Sequence, residues 1–390
     1  MNDRGVAISD VARTGVARGD DASSRAAADG HLESALAACL PPYRAALGRL
    51  IEAVGSEADL TEPGAAAFAR AALAAAHAQR EPAHVAAGSD HAPVVFITGL
   101  HRTGTTLLQH LLAAHPDLYA PSLWELMNPG AGTDEAQRGA LIARTKAYVE
   151  EYYRAAPAFR IIHPLDAQRP EECHRLIGMT FLSEIYALRY RVPGYLEWLD
   201  AQDHRPAYGF HRQAVHAIRA RAGVPAATLV LKCPFHVGHG PELAAVYPRA
   251  RVVRMHRDPV RTIASISSLT LVVRQARARG VSAAAVGDEW LGRTRGAVAA
   301  LTAQAAGHGG LPTLDLGYRE LVGDPLAAAV RVCRFLGVRM TAAAEASMRA
   351  FLERQPADEH GGHSYRPEDF GLNTAALTRE FADYRDLFRV

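Results

Sequence analysis

The sequence predicts a doubly wound α/β fold, in which helices cover both faces of a parallel sheet, with a helical N-terminal cap and a helical insertion. Three observations support this prediction: short apolar runs recur along the chain, a loop or helix follows each, and long helical segments separate them. Strands that are buried on both faces of a parallel sheet have continuous apolar runs of this kind. Such a sheet carries its binding site at the carboxyl ends of its strands.

The chain divides into three parts before any motif is considered. Residues 1–30 are mostly small and polar, and we expect them to be disordered. Residues 31–91 should form a helical cap of two or three helices, broken at Pro41-Pro42 and Pro63-Gly64. The α/β domain is predicted to cover residues 92–390.

Within that domain, strands and helices alternate. The predicted strands are 93–98, a shorter one at 117–120, 227–232, 250–255 and 312–316. The predicted helical segments are 138–155, 170–190, 206–222, 258–277, 284–306, 319–336 and a closing helix at 373–389. The stretch 138–222 is too long for a single crossover between parallel strands, so we predict a helical insertion that forms a wall of the binding pocket.

Composition excludes several classes of protein. The net charge is only +2 with 22% charged residues, which argues against a nucleic-acid partner. No segment approaches the ~18–20 consecutive apolar residues of a membrane span. The four cysteines are scattered and indicate reduced thiols in a cytoplasmic protein. The 18 histidines form no cluster with metal-ligand spacing, so no bound metal is expected.

Lysine is almost absent from this chain. Of the 43 basic residues only Lys146 and Lys232 are lysines, a bias that places arginine wherever either cation would serve. Lys146 lies in a polar helical segment, whereas Lys232 ends an apolar strand. Lys232 is therefore the lysine for which we predict a function.

The first strand runs into a glycine-bounded loop that precedes a helix. Gly99 and Gly104 stand five residues apart, as in a P-loop, and a strand, loop and helix of this kind bind an anion with backbone N–H groups. A P-loop NTPase needs a lysine where Thr105 stands, before Thr106. Arg102 supplies positive charge from inside the loop instead. The fold is thus predicted to be P-loop NTPase-like without the triphosphate lysine.

Two later elements complete this pattern. Arg257 follows the strand 250–255 and Ser265 lies eight residues further on; an arginine fork with a hydroxyl suits a terminal phosphate monoester. Alone, Arg-Asp-Pro is equally typical of a helix start. Tyr318 follows the strand 312–316, where it could also be a half-buried structural tyrosine.

Together these motifs resemble the sulfotransferases that use 3′-phosphoadenosine 5′-phosphosulfate (PAPS), in particular a bacterial branch of that family. The Pro170-Glu171-Glu172-Cys173 segment and the stretch from His363 to Leu372 add a looser similarity. The resemblance implies that the loop binds the 5′-phosphosulfate, that Arg257 and Ser265 bind the 3′-phosphate, and that Tyr318 contacts the adenine. The loop residues concerned are Arg102, Thr103, Gly104, Thr105 and Thr106. The late glycine-rich segment of the cytosolic arylsulfotransferases is absent, so a phenol acceptor is not implied.

Three residues are candidates for catalysis. Glu125 follows the short strand, where several sulfotransferase branches carry a glutamate base; the alternative is a carboxylate favoured by a helix N-terminus. His236 follows the strand 227–232, near the place where arylsulfotransferases carry a histidine base, but a structural histidine is the alternative. We favour Glu125 as the base with His236 assisting, and Lys232 as the cation on the leaving phosphate or the sulfuryl oxygens.

The predicted function is sulfuryl transfer from PAPS, without a metal, to a hydroxyl or less readily an amine. The acceptor could be a small molecule, a lipid, a sugar or a carrier-bound chain, and the oligomeric state is open. One alternative is a P-loop small-molecule or nucleotide kinase, which Thr105 and the missing Mg²⁺ carboxylate disfavour. The other is a non-catalytic nucleotide-binding protein.

Overall fold

The computed structural model describes residues 22–84, 93–132, 134–224, 227–308, 310–354 and 365–390. In chain order the strands are β1 (Val94–Gly99), β2 (Leu118–Tyr119), β3 (Thr228–Lys232), β4 (Arg251–His256) and β5 (Thr313–Gly317). They form one parallel sheet with the order β2-β3-β1-β4-β5. Each strand begins and ends within one residue of its predicted position, which confirms the α/β prediction.

Strand β1 lies at the centre of the sheet, and both of its faces are apolar. Val95, Phe96 and Ile97 have no exposed surface. Val95 and Ile97 pack into the core on one face, and Phe96 packs into the core on the other, as the alternation of side chains in a strand requires. The chain leaves β1 toward β2 on one side and later crosses from β3 to β4 on the other. The carboxyl ends of β1, β3 and β4 therefore meet at a topological switch point.

In the described residues before the sheet the α-helices are α1 (Ala22–Ala38), α2 (Pro41–Glu57) and α3 (Glu62–Ala78). The predicted breaks are present, since proline stands in the first turn of both α2 and α3. Residues 22–30, expected to be disordered, instead form the first half of α1. Residues 1–21 and 85–92 lie outside the described part of the chain.

Between β2 and β3 the described residues form seven α-helices. They are α5 (Leu123–Met127), α6 (Glu135–Ala155), α7 (Phe159–Ile162), α8 (His174–Gly178), α9 (Ile185–Arg189), α10 (Pro193–Asp200) and α11 (Arg205–Ala222). The prediction of one helix over 170–190 is wrong. Phe181, between α8 and α9, adopts a left-handed conformation (φ 60°) and its carbonyl accepts a 2.5 Å hydrogen bond from the buried Tyr195 hydroxyl, so the helix cannot continue.

The remaining helices cover both faces of the sheet. They are α4 (Thr105–Ala113), α12 (Gly240–Val246), α13 (Pro259–Gln275), α14 (Ala283–Ala303), α15 (Tyr318–Gly323), α16 (Pro325–Leu336), α17 (Ala342–Arg354), α18 (Thr374–Glu380) and α19 (Ala382–Phe388). The segment predicted as one helix over 319–336 is divided at Asp324, which instead caps α16 by accepting from the Ala327 N–H at 2.9 Å. The closing segment is likewise divided, at Phe381. Among the described helices none is long and apolar enough to span a bilayer.

Candidate functional site

The loop after β1 is held against neighbouring backbone, which explains its two glycines. A Cβ placed on Gly99 (φ 138°) would lie 2.2 Å from the carbonyl oxygen of Met255 on β4. A Cβ on Gly104 (φ 84°) would lie 3.1 Å from both the Leu321 and the Tyr318 side chains. Any larger residue at Gly99 would push β1 away from β4, so the close approach demands glycine.

The same loop exposes a helix N-terminus to a cavity. Helix α4 (Thr105–Ala113) starts directly after Gly104, which has no side chain to cap it. The first N–H groups of a helix lack intrahelical partners and carry the positive end of the helix dipole. Arg102, Thr105 and Thr106 line the cavity at this point. Thr103 is fully buried and its hydroxyl donates to the carbonyl of Leu100 at 2.8 Å, so its side chain holds the loop in shape.

Arg257, Ser265 and Tyr318 line the cavity beside this loop. Nη1 of Arg257 donates to the Arg102 carbonyl at 2.8 Å, and its guanidinium lies 4.0 Å from the centroid of the Tyr318 ring. Nε of Arg102 donates to the Ser265 hydroxyl at 3.3 Å. The structure therefore brings together, on one wall, all the residues that were predicted to bind the cosubstrate except the Thr103 side chain.

Lys232 lies at the end of β3, just behind the same wall. Its ammonium lies 2.7 Å from Oε1 of Glu172 and 3.3 Å from the hydroxyl oxygen of Thr106, and both of those residues line the cavity. Only 1% of Lys232 is exposed. Lys146, on α6, is exposed to solvent. Lys232 is thus buried behind the cavity wall and Lys146 is a surface residue, while a contact of Lys232 with the leaving phosphate or the sulfuryl oxygens stays a prediction.

The cavity encloses about 330 Å³ and continues away from the loop between the insertion helices and α13. Its lining includes a set of carboxylates and imidazoles and a set of apolar side chains. The polar set comprises His101, His163, Glu171, Glu172 and His174, and the apolar set comprises Tyr152, Phe159, Ile162, Leu165, Leu188, Leu269 and Val273. The insertion predicted from the sequence therefore does form a wall of the pocket.

This geometry agrees with the comparisons with known proteins. The sequence profile of the Sulfotransferase family matches residues 93–342. The chain belongs to the sulfotransferase family. Its structure is similar to that of sulfotransferase STF1 from Mycobacterium tuberculosis, with a TM-score of 0.77 and 27% identity over 91% of this chain and 98% of that one. Sulfotransferase STF9 from Mycobacterium avium shares the fold, with a TM-score of 0.79 and 22% identity over 96% and 99% of the two chains. No curated protein matched the sequence.

The sulfotransferase carries a carboxylate–imidazole pair that sequence reasoning missed as a catalytic candidate. Nδ1 of His174 lies 2.8 Å from Oε2 of Glu172. Burial raises the pKa of the Glu172 carboxyl, but Lys232 and His174 outweigh it and hold the pKa well below its usual range. Burial lowers the pKa of His174, and Glu172 opposes that shift only in part. At neutral pH the pair is therefore an ionised carboxylate beside a neutral imidazole.

A backbone contact explains why this pair lies in the site. The N–H of Cys173 donates to the carbonyl of Lys232 at 2.9 Å, so the segment that contains Glu172 and His174 is attached to the end of β3. The signal was present in the sequence, since Pro170-Glu171-Glu172-Cys173 was one of the looser similarities to the family. Nothing in that tract alone indicated which strand it would join.

Glu125, which sequence reasoning favoured as the base, is not among the residues that line the cavity of this sulfotransferase. Its carboxylate accepts hydrogen bonds from the Tyr119 hydroxyl (2.5 Å), the Ser122 hydroxyl (2.6 Å) and the Ser122 N–H (2.9 Å). Nη2 of Arg221 adds an ion pair at 3.4 Å. These contacts make a capping box at the start of α5, so the alternative role at a helix N-terminus is the one the structure supports.

His236 also lies outside the cavity lining, on the turn Pro234–His239. Its Nδ1 lies 2.8 Å from the Tyr208 hydroxyl and its Nε2 lies 3.2 Å from Sγ of Cys173. Burial lowers its pKa well below the ordinary value. His236, His211 and Cys173 form a buried cluster in which one possible ligand atom from each lies within 4.8 Å of the others. A closed structural zinc site takes four ligands, and this cluster offers three. We interpret His236 as a structural residue of the core.

Proposed function

We propose that this sulfotransferase transfers a sulfuryl group from PAPS to a hydroxyl of an acceptor. One observation carries the proposal: an uncapped helix N-terminus, the Arg257 guanidinium and the Tyr318 ring line one cavity, and the acid–base pair of Glu172 and His174 lines it too. PAPS carries one anionic group on the 5′ oxygen and another on the 3′ oxygen of its ribose, and the helix N-terminus and Arg257 are suited to bind these two groups.

In the proposed complex the phosphosulfate lies at the N-terminus of α4 and contacts Arg102, Thr105 and Thr106. The 3′-phosphate binds Arg257 and Ser265, and the adenine lies against Tyr318. A sulfuryl group carries less charge than a phosphoryl group, so fixed cations and N–H donors can stabilise its transfer without Mg²⁺.

We propose His174 as the base, with Glu172 as the group that orients it. The acceptor oxygen forms a bond to sulfur while the bond from sulfur to the 5′-phosphate oxygen breaks, and adenosine 3′,5′-bisphosphate leaves. The hydroxyl proton passes to His174, whose cationic form the Glu172 carboxylate stabilises. His101 also lines the cavity, but burial lowers its pKa to about 3, which makes it a weak base.

The thiols support a location in a reducing compartment, which we propose is the cytoplasm. Cys39, Cys173, Cys233 and Cys333 are all free and buried. Disulfides are rare in the cytosol, where thiols are kept reduced.

The donor assignment is tested by thermal unfolding with adenosine 3′,5′-bisphosphate and, separately, with ATP and Mg²⁺. A ligand that binds only the folded state raises the melting temperature by mass action. We expect a rise with the bisphosphate and little with ATP, together with transfer of radiolabelled sulfate from PAPS to an acceptor. Equal stabilisation by ATP and Mg²⁺, with no effect of the bisphosphate, would support the kinase alternative.

A further inference from the structure

The cavity combines apolar walls with two arginines. Its apolar walls come from α6, α7, α9 and α13, and include Tyr152, Phe159, Leu188 and Leu269. Such walls suit a hydrocarbon or aryl body, because burial of apolar surface is favourable and does not depend on direction. The two arginines, Arg175 on α8 and Arg189 at the end of α9, line the same cavity.

The two arginines lower the pKa of one tyrosine, Tyr148. Burial alone would raise the pKa of Tyr148, yet the pKa is lowered because Arg175 and Arg189 outweigh the burial. Tyr148 lines the cavity together with both arginines. Two positive charges therefore lie at the cavity wall beside Tyr148.

Neither arginine is neutralised by a carboxylate. Within the described residues no Asp or Glu oxygen forms an ion pair with Arg175 or Arg189, and Nε of Arg175 is buried without a hydrogen-bond partner. The carboxylates nearby are already paired: Glu171 lies 3.4 Å from His163, and Glu172 lies 2.7 Å from Lys232. Arg175 hydrogen-bonds with Tyr148, but no carboxylate among the described residues forms an ion pair with either arginine, so an anion from a ligand would be stabilised here.

We propose that the acceptor is a hydroxylated acid with an apolar body. The proposal rests on the function proposed above and names its acceptor class. The acidic group, a carboxylate or a phosphate or sulfate ester, binds Arg175 and Arg189. The apolar body lies along Phe159, Leu188 and Leu269, and the hydroxyl reaches the Glu172–His174 pair, which lines the same cavity. A guanidinium pair recognises any of these oxyanions through charge-assisted hydrogen bonds.

The test compares an acid with its neutral ester on the unmodified protein. Isothermal titration calorimetry, with adenosine 3′,5′-bisphosphate at saturation, measures the dissociation constants of 10-hydroxydecanoate and of 4-hydroxyphenylacetate and those of their methyl esters. We expect at least one acid to bind roughly tenfold or more tightly than its ester, the size of one charge-assisted contact. Equal affinity of acid and ester in both pairs, or no binding by either acid, overturns the proposal.

Variants then test whether Arg175 and Arg189 cause the preference for the acid over its ester. Arg175→Gln and Arg189→Gln should each reduce the acid-to-ester ratio toward one, while Arg154→Gln, an exposed arginine on α6, should leave it unchanged. If either cavity variant fails to fold, the acid-to-ester comparison on the unmodified protein still decides the proposal. Failure of the proposed function is distinct, because it appears as loss of bisphosphate binding and of sulfate transfer whatever the acid-to-ester ratio is.

Discussion

The ammonium of Lys232 lies 2.7 Å from Oε1 of Glu172 and joins the end of β3 to the segment that contains the acid–base pair. Lys232 also lies 3.3 Å from the Thr106 hydroxyl, in the first turn of the anion-binding helix α4. One buried cation therefore contacts both halves of the proposed reaction centre. Removal of one partner of such a pair leaves the other charge buried and uncompensated.

Lys232→Met should abolish transfer and lower the melting temperature, because Glu172 loses its buried cation. Lys146→Met is the matched control, and it should leave both quantities unchanged because Lys146 is exposed on α6. Lys232→Arg should rescue transfer poorly, since a planar fork does not replace a compact ammonium. Steady-state transfer rates and thermal unfolding measure these effects. Full activity of Lys232→Arg would contradict a specific role for the ammonium.

Arg257→Ala should weaken binding of adenosine 3′,5′-bisphosphate much more than binding of AMP, because only the former has a 3′-phosphate. A charge-assisted contact is worth ~1.5–3 kcal/mol, so we expect a loss of about tenfold or more for the bisphosphate. Calorimetric dissociation constants for the two nucleotides provide the measurement. Equal weakening of both ligands would show that Arg257 does not bind the 3′-phosphate.

Glu172→Gln and His174→Ala should each reduce the transfer rate by ~10²–10⁴-fold with nucleotide affinity preserved. The combined variant should lose little more than either one, because residues that act as a unit have non-additive effects. Glu125→Gln is the informative control: it disturbs the capping box and should lower the melting temperature while transfer continues. Loss of transfer in Glu125→Gln with unchanged stability would restore Glu125 as the base.

The pH dependence of the transfer rate should follow the protonation of His174. Burial lowers its pKa below the ordinary value of 6.5, so the neutral, proton-accepting form persists to lower pH than for an exposed histidine. Transfer should thus persist to lower pH than with an unperturbed histidine base, and decline only as the pH falls through the lowered pKa. Glu172, whose pKa is held well below its usual range, stays ionised throughout. A decline that begins above pH 7 would exclude His174 as the base.

Turnover should survive EDTA, because Arg102 and the N–H groups at the start of α4 replace the metal that kinases use. Rates before and after chelation, with and without added Mg²⁺, are compared with the metal content of the purified protein. Activity that EDTA abolishes and Mg²⁺ restores would favour the kinase alternative. Stoichiometric zinc would show that the buried cluster of Cys173, His211 and His236 binds a metal after all.

The sequence by itself determined the sheet, the loop after β1 and the residues that surround it. These features depend on short contiguous stretches, in which apolar runs, glycine spacing and helix starts constrain the backbone locally. The eight-residue interval between Arg257 and Ser265 likewise follows from one strand end and two turns of the following helix. Each of these predictions needed only neighbours in the chain.

Only the tertiary structure decided which acid and which imidazole face the cavity. Glu125 and His236 follow strands as catalytic residues do, but residues from distant segments bind their polar atoms. Arg221 forms an ion pair with Glu125, and Tyr208 and Cys173 contact the two ring nitrogens of His236. Glu172 reaches the site because the Cys173 N–H bonds to the end of β3, across nearly sixty residues of chain. Contacts of that kind depend on how the insertion helices pack, and no local pattern encodes their packing.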